Sequence, residues 1–257
     1  QNLSIPAPAT TTTYYVRFEG TCNNTADVST TVTVQQESTA PTSAASSANS
    51  FCAGSIANIT LSYSGGSLGN GAIAEWYDDA ALTNNIGAGQ NLTIAAPLNT
   101  TTYYVRFEGN CNLTSAVNVT VNVLELSTNP AGISITNDNT CEGTGKTLTV
   151  SGGSLGSAAS WQWYTGSCGG TSIGSGSSIN VDPANDTQYW VRAEGTCNIT
   201  TCATNTVQVS QPSVAPTGAS SSDNNFCAGS IGNITLSYAG GSLGDGASAE
   251  WYDDAAL

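Results

Sequence analysis

The sequence predicts an all-β protein built as a tandem array of antiparallel β-sandwich domains. Short segments recur along the chain at nearly constant spacing, which is typical of repeat architectures. Within each repeat, apolar and polar residues alternate with the period of two that marks a strand with one buried face. No stretch has the periodicity of an amphipathic helix, so helices are not expected.

The repeat is defined by a seven-residue segment with an arginine in its centre. Residues 14–20 recur at 103–109 and, with changes, at 189–195, so Arg17, Arg106 and Arg192 are spaced by 89 and then 86 residues. Two further landmarks, at 51–56 and 65–69, return at 226–231 and 240–244. The whole chain is therefore organised by one repeat of just under 90 residues.

Alignment of these landmarks divides the chain into two complete repeats and two halves. The complete repeats occupy 40–125 and 126–211, residues 1–39 match the second half of a repeat, and 212–257 match the first half. One interpretation is a segment of a longer array. The other is a whole subunit whose C-terminal half-domain is completed by the N-terminal half of the next identical molecule, giving a head-to-tail filament.

The first complete repeat contains five clear strand patterns and one or two weaker ones. In chain order the clear strands lie at 59–64, 72–77, 92–94, 102–108 and 117–123, with a glycine-rich loop at 65–71. In the fourth strand, Tyr103, Val105 and Phe107 share one face. This number of short strands, with turn residues throughout, favours an antiparallel sandwich.

Composition excludes several functional classes. The chain has 18 acidic and 4 basic residues, a net charge of −14 and no histidine. Such a charge argues against binding to nucleic acid and to anionic membranes. Without histidine, Ser–His–Asp and Cys–His catalysis and most zinc enzymes are excluded, so the chain is not expected to be an enzyme. No apolar run is long enough to insert into a membrane.

Two sequence features could suggest a binding site, the first for a phosphate group and the second for a metal cation. The glycine-rich loop lacks the lysine and the following helix of a phosphate-binding loop. The pair Asp78–Asp79, repeated at Asp253–Asp254, could contribute carboxylates to calcium or lie in a solvated turn. No calcium motif is complete, and no other cofactor is expected.

The most distinctive polar pattern is the Arg-x-Glu pair, which contains three of the four basic residues. In the first complete repeat Tyr104, Arg106 and Glu108 share a strand face, because alternate residues of a strand point the same way. The pair is either a structural ion pair or part of a ligand face. An aromatic residue precedes each arginine by two positions, namely Tyr15, Tyr104 and Trp190. Aromatic residues in corresponding places are what a glycan-binding, lectin-like module would expose.

The order of motifs resembles a known family. Cys-x-Gly, Leu-x-x-Ser-Gly-Gly, Trp-Tyr and Thr-Thr-Tyr-Tyr-Val-Arg, followed by a cysteine, resemble the immunoglobulin-like and PKD-like repeats of giant surface proteins in gliding and other Bacteroidota. SprB-like gliding-motility adhesins and related filament proteins secreted by the type IX system belong to that group. The resemblance covers the whole chain. It implies an extracellular, cell-surface stalk or filament with an adhesive role. Its partners would be neighbouring repeats, identical chains, surface glycans or the substratum.

The same resemblance implies disulfide-stapled, immunoglobulin-like domains. Cys52 and Cys111 are 59 residues apart, and Cys141 and Cys197 are 56 apart. Both spacings resemble the cross-sheet disulfide of immunoglobulin domains, which packs on a core tryptophan. The tryptophans predicted for that core position are Trp76, Trp163 and Trp251.

The remaining cysteines extend this framework. Cys168 and Cys202 have no counterparts in the preceding repeat, so they are predicted to pair with each other. Cys22 and Cys227 lie in half-repeats and are expected to find partners outside residues 1–257. A metal site fits poorly, because cysteine ligands without histidine and at these spacings match no common zinc motif. Disulfides would place the protein outside the cytoplasm.

Overall fold

The computed structural model describes residues 2–230 and 232–253, and it contains strands and turns but no helix within those ranges. Within the same residues, no helix is long and apolar enough to span a membrane. The all-β prediction is confirmed. The strands are β1 (Thr12–Val16), β2 (Val28–Val32), β3 (Ser43–Ser46), β4 (Ser50–Cys52), β5 (Asn58–Ser64), β6 (Ile73–Tyr77), β7 (Asn85–Ala88), β8 (Asn91–Ala95), β9 (Thr101–Glu108), β10 (Val117–Leu124), β11 (Gly132–Thr136), β12 (Thr140–Cys141), β13 (Lys146–Ser151), β14 (Ser160–Thr165), β15 (Thr171–Ser175), β16 (Ser178–Val181), β17 (Thr187–Glu194), β18 (Ala203–Val207), β19 (Val209–Ser210), β20 (Gly218–Ser221) and β21 (Leu236–Ala239).

The chain divides into two compact units between Glu125 and Leu126. In the first unit, the complete repeat is a sandwich of two sheets. The small sheet has the order β3-β5-β8, and the large sheet has the order β4-β10-β9-β6-β7. The inward residues of both sheets form one core around the buried side chains of Leu61, Trp76, Val105 and Phe107. Alternation of buried and half-buried residues along β9 is the period-two pattern that the sequence showed.

The second unit contains a similar sandwich. Its small sheet has the order β11-β13-β16 and its large sheet has the order β15-β14-β17-β18. Trp163, Leu148, Val191 and Val207 are buried in its core. The last long strand of the first repeat is divided here at Gln208 into β18 and β19, and β19 forms a short parallel pair with β12.

The two half-repeats form two-stranded ladders, β1 with β2 and β20 with β21. Their apolar side chains are exposed, including those of Phe18, Leu236 and Trp251. The prediction that Trp251 lies in a core is wrong in this structure. The counterpart Trp76 lies in a core that includes Val105, Phe107 and Val121 from β9 and β10, strands from the other half of a repeat. Among the described residues after 211, only β20 and β21 are strands, so no counterparts of β9 and β10 are present there.

Each complete repeat has a leading end, where the chain enters, and a trailing end, where it leaves. In the first repeat the leading end holds the loop 65–71, since Thr39 pairs with Ser67. Gly66 and Gly69 lie so close to the backbone of residues 36–40 that a Cβ on either would overlap it. The trailing end holds Leu124, the last residue of β10. The chain thus crosses each sandwich from one end of the strands to the other.

Candidate functional site: the outer face of the large sheet

The outer face is the side of the large sheet turned away from the core. In the first repeat it carries Tyr104, Arg106 and Glu108 of β9, all half-buried. Arg106 Nε donates to Glu108 Oε1 at 2.7 Å. Tyr77 of β6 donates its hydroxyl hydrogen to the same carboxylate oxygen, and the Arg106 guanidinium lies 5.4 Å from the centre of the Tyr77 ring. Glu108 is therefore held by an arginine and a tyrosine at once.

The second repeat reproduces this triad. Arg192 Nε donates to Glu194 Oε1 at 2.7 Å, Tyr164 donates to the same oxygen, and the guanidinium lies 5.2 Å from the Tyr164 ring centre. In the N-terminal half-repeat, Arg17 and Glu19 also pair, but both side chains are more than half exposed. The Arg-x-Glu pattern thus forms an ion pair in all three places, and a tyrosine completes it in the two complete sandwiches.

The triad shifts the ionisation of its members. Burial and the hydrogen bond to Glu108 raise the pKa of Tyr77. The hydrogen bond from Tyr77, together with Arg106, lowers the pKa of Glu108, and the hydrogen bond to Glu108 raises the pKa of Arg106. At neutral pH the triad is a neutral tyrosine between opposite charges, so it holds no acid or base poised for proton transfer.

Tyr77 and Tyr164 were not singled out from the sequence, although a signal was present. Each follows a core tryptophan directly, and neighbours on a strand face opposite sides of the sheet. The tryptophan faces inward, where Trp76 Nε1 donates to the Gly89 carbonyl at 2.9 Å. The tyrosine therefore faces outward, where β9 presents its Arg-x-Glu pair.

A second polar constellation lies at the leading end of each repeat. Ser38 N donates to Asn112 Oδ1 and Asn112 Nδ2 donates to Ser38 O, both at 2.9 Å. Ser38 Oγ accepts a hydrogen bond from Gly69 N at 2.9 Å. We call this arrangement the leading-end clamp. Ser127, Asn198 and Gly156 repeat it with the same three hydrogen bonds.

The clamp was not predicted from the sequence. Asn112 stands in an Asn-x-Thr pattern and could be a glycosylation acceptor by sequence alone. Both functional atoms of its side chain are hydrogen-bonded within the clamp, which is a structural use of the residue.

The aspartate pair Asp78–Asp79 lies in the turn between β6 and β7. The Asp79 carboxylate accepts hydrogen bonds from Thr83 N, Thr83 Oγ1 and Asn84 N at 2.8–2.9 Å, which lower the pKa of Asp79. Asp78 Oδ1 accepts from the Asn84 side chain at 2.7 Å. Both carboxylates thus stabilise the turn. Across residues 2–230 and 232–253, no group of three or more metal-binding side chains occurs. Asp253 is exposed, and Asp254 lies outside the described residues.

The cysteine framework differs from the prediction in part. Cys168 and Cys202 form the predicted disulfide, with their Cα atoms 5.9 Å apart. Cys52 and Cys197 are disulfide-bonded, whereas Cys111 and Cys141 carry free, exposed thiols. The predicted pairs Cys52–Cys111 and Cys141–Cys197 are therefore wrong. Cys22 and Cys227 are free and exposed, and partners for them outside the chain stay a prediction.

The strand register explains why the immunoglobulin-type pairs do not form. Cys52 pairs with Leu124 at the trailing end, and the β9–β10 register places Leu124 level with Leu98. Cys111 follows β9 at the leading end, beyond Glu108. A strand covering that interval spans roughly 30 Å at about 3.3 Å per residue, whereas a disulfide needs Cα atoms within about 7 Å.

The Cys168–Cys202 disulfide lies on the outer face of the second repeat. It joins the turn between β14 and β15 to the start of β18, and Cys168 Sγ lies 4.0 Å from Arg192 Nη1. At the corresponding positions the first repeat has Ala116 and the turn 78–81. The outer faces of the two repeats therefore share their triad and differ in this covalent staple.

Comparison with known proteins identifies the repeats. The model of the family described as "Ig-like domain CHU_C associated" matches residues 39–124 and 129–211. No curated protein matches the chain. A solved structure described as the structural basis for Dscam isoform specificity is 14% identical to this chain, with a TM-score of 0.40. The similarity covers 67% of this chain and 46% of the Dscam chain. The mouse nectin-like molecule 4 ectodomain (Ig1–Ig3) is 14% identical to this chain, with a TM-score of 0.38. The similarity covers 66% of this chain and 65% of the nectin-like chain.

Proposed function

The chain belongs to the family of CHU_C-associated Ig-like domains, and we propose that it is an extracellular structural repeat region of a bacterial cell-surface adhesin. In this role the repeats form a stalk or filament of the gliding-motility type and carry no catalytic activity. The partners are neighbouring repeats, either of the same polypeptide or of identical chains.

The observation that carries the proposal is the path of the chain through each repeat. The chain enters at the leading end and leaves at the trailing end, so copies can be added in series without rearranging either sandwich. Between the last residue of β10, Leu124, and the clamped Ser127 stand only Glu125 and Leu126. Such a short connector suits a structural spacer, because it adds little flexible chain between modules.

The Cys168–Cys202 disulfide supports an extracellular location, since stable disulfides persist outside the reducing cytoplasm. The net charge of −14 supports a soluble surface that repels other acidic chains. A sequence without histidine supports a non-catalytic role.

The location is tested by labelling intact cells of the source organism with an antibody raised against residues 40–211. Surface labelling without permeabilisation is expected. Labelling only after permeabilisation would overturn the proposal. Fab fragments of the same antibody should reduce attachment of the cells to a surface, while a Fab against an unrelated surface protein serves as the control.

The size of the array is tested by the mass of the native polypeptide on a denaturing gel, with and without reductant. A mass of hundreds of kilodaltons in both lanes supports a long covalent array. A band near 26.0 kDa in both lanes indicates a subunit that assembles by half-domain complementation instead.

A second candidate function is glycan binding on the outer face. It is favoured by the aromatic side chains of Tyr104 and Trp190, which lie beside the triads and are half-buried. Aromatic rings beside an arginine and a carboxylate offer stacking and hydrogen-bonding groups in one place.

Glycan-array binding by residues 40–211 tests this candidate. The substitutions Tyr104→Ala and Trp190→Ala should each weaken binding. Leu98→Ala, at an exposed residue outside the outer face, should leave binding unchanged. No binding to any glycan, or equal binding by all three variants, would eliminate the candidate.

A further inference from the structure

The turn that closes the glycine-rich loop of the first repeat holds a residue of the preceding half-repeat. Gln36 N donates to Asn70 Oδ1 at 2.8 Å, and Asn70 N donates to Gln36 O at 3.1 Å. Asn70 follows Gly69 in a turn closed by the hydrogen bond from Ala72 N to Gly69 O. One asparagine thus binds both main-chain groups of Gln36, and we call this two-bond arrangement the turn clasp.

The second unit contains the same turn clasp at the start of the C-terminal half-repeat. Gln211 N donates to Asp245 Oδ2 at 2.9 Å, and Asp245 N donates to Gln211 O at 3.1 Å. The side chains of asparagine and ionised aspartate share an acceptor oxygen and differ in charge. The clasp therefore requires that oxygen and does not require a charge.

A close approach of two main chains accompanies each clasp. A Cβ at Gly69 would lie 2.2 Å from Gln36 O, and a Cβ at Gly244 would lie 2.3 Å from Gln211 O. A residue with a side chain at either glycine would push the held segment away, because atoms cannot approach so closely. The surface of the turn is thus shaped for direct contact with a main chain.

We propose that the turn clasp is a docking site for an extended segment at the end of the preceding repeat, and that it recognises the main chain of that segment. The partner is therefore another repeat of this family, and the side chain at the held position does not select it. The proposal goes beyond the adhesive role and does not depend on it, since it concerns which site joins a repeat to the one before.

The two held segments support recognition through the main chain. They read Gln-Glu-Ser-Thr at 36–39 and Gln-Pro-Ser-Val at 211–214, so two of the four side chains differ while the clasp is the same. The shared serine makes one further bond in each place. Gly69 N donates to Ser38 Oγ and Gly244 N donates to Ser213 Oγ, both at 2.9 Å.

The turn clasp forms without the leading-end clamp. The clamp needs Asn112, which belongs to the second half of a repeat, whereas residues 212–257 match only the first half. The clasp with Asp245 is nevertheless complete there. The first half of a repeat is therefore sufficient to hold the preceding segment.

The second clasp is also tied to the sandwich that precedes it. Gln211 Nε2 donates to Ala184 O at 3.3 Å and to Val209 O at 3.4 Å, and both carbonyls belong to the second repeat. The main chain of Gln211 thus binds the half-repeat while its side chain binds the sandwich before it. A residue held on both sides does not act as a flexible linker.

Limited proteolysis of chain 1–257 with glutamyl endopeptidase tests the proposal, because Glu37 directly follows the held residue. Asn70→Ala should speed cleavage after Glu37 about fivefold or more, since it removes the acceptor of Gln36 N. The matched control Asn70→Asp copies the second clasp and should be cleaved at the rate of the unchanged protein. Cleavage after Glu19, whose side chain is mostly exposed, is the internal reference and should stay constant.

Two substitutions of the held residue separate main-chain from side-chain recognition. Gln36→Pro removes the donating N–H and should speed cleavage as Asn70→Ala does. It lies outside the sandwich, so it tests the clasp even where Asn70→Ala lowers the stability of the repeat. Gln36→Ala keeps the N–H and should leave the rate unchanged. Unchanged cleavage in either Gln36→Pro or a folded Asn70→Ala protein would overturn the proposal, and so would faster cleavage in Gln36→Ala or Asn70→Asp.

Discussion

The N-terminal half-repeat and the first complete repeat contain the same seven-residue segment in two surroundings. The segment around Arg17 is identical to the segment around Arg106 from tyrosine to glycine, but β1 ends at Val16 whereas β9 continues to Glu108. Phe107 is 1% exposed, whereas its counterpart Phe18 is 79% exposed. The surrounding sandwich therefore determines both how far the strand extends and whether its side chains are buried.

The C-terminal half-repeat gives the same lesson from the other half of the sandwich. Trp76 is fully buried and Trp251 is 46% exposed, although both stand in the sequence Ala-Glu-Trp-Tyr. A half-repeat presents the correct inward residues without the layer that would cover them, because each half supplies only part of each sheet.

The largest expected effect is a difference in stability between substitutions at the aligned residues Phe107 and Phe18. Phe107→Ala should lower the free energy of unfolding of the first repeat by about 3–5 kcal/mol, because it empties a core position. Phe18→Ala should change stability by less than about 0.5 kcal/mol, since the side chain is already in solvent. Urea denaturation of both variants measures the difference. Similar losses in the two variants would show that the half-repeat is covered in solution.

The next largest effect is a loss of stability that is expected in the second complete repeat and not in the first. Replacing Cys168 and Cys202 by serine removes a disulfide that spans 34 residues, and a loop of that size is worth about 3–4 kcal/mol in the chain-entropy treatment. Hydrogen exchange followed by mass spectrometry should show faster exchange in 126–211 and unchanged exchange in 40–125. Equal acceleration in both repeats would contradict independent stabilisation of each sandwich.

A smaller loss is expected at the leading-end clamp. Asn112→Ala leaves the Ser38 N–H and carbonyl without their partners, which should cost about 1–3 kcal/mol and expose residues 36–40 to proteolysis. Asn23 is the aligned residue in the half-repeat, and Asn23→Ala should have little effect. Thermal unfolding and limited proteolysis together measure both changes. A stable Asn112→Ala protein with a protected leading segment would contradict the role of the clamp.

The smallest effect is the pH response of the triads. The pKa values of Glu108 and Glu194 are lowered in the folded state by the tyrosine and the arginine. Their contribution to stability is therefore complete at neutral pH and is lost as the pH falls below about 4. Because both carboxylates are partly exposed and screened, the loss should be at most about 1 kcal/mol for each triad.

The pH response is checked with Glu108→Gln, which cannot ionise. Its melting temperature should be lower than that of the unchanged protein at neutral pH, and the difference should shrink under acid. A difference that stays constant with pH would assign the effect to shape rather than to charge.

Several elements were predictable because their signals are local. Strands β5, β6, β8, β9 and β10 all coincide with predicted strands to within two residues, since alternation is visible in the strand itself. The pair Cys168–Cys202 was predictable because one repeat has both cysteines and the other has neither. In each case the information lies within one segment or in a comparison of aligned segments.

Other features depend on register, which the sequence does not display. The 59-residue spacing from Cys52 to Cys111 resembles an immunoglobulin disulfide, but spacing does not say at which end of a sheet each cysteine lies. The same holds for Tyr77, whose partner Glu108 is defined only once β6 and β9 are aligned. The clamp joins residues 74 positions apart in sequence, and the residues beside Ser38 and Asn112 give no sign that the two side chains meet.

The route of the chain through the sandwich has a mechanical consequence. The leading strand β3 starts at one end, β10 finishes at the other, and β4 runs parallel to β10. Tension applied to the two ends of a repeat therefore acts along the strands and shears the hydrogen bonds between β4 and β10 together, rather than opening them one at a time. We expect a force-bearing repeat of this design to resist stretching until several bonds break at once.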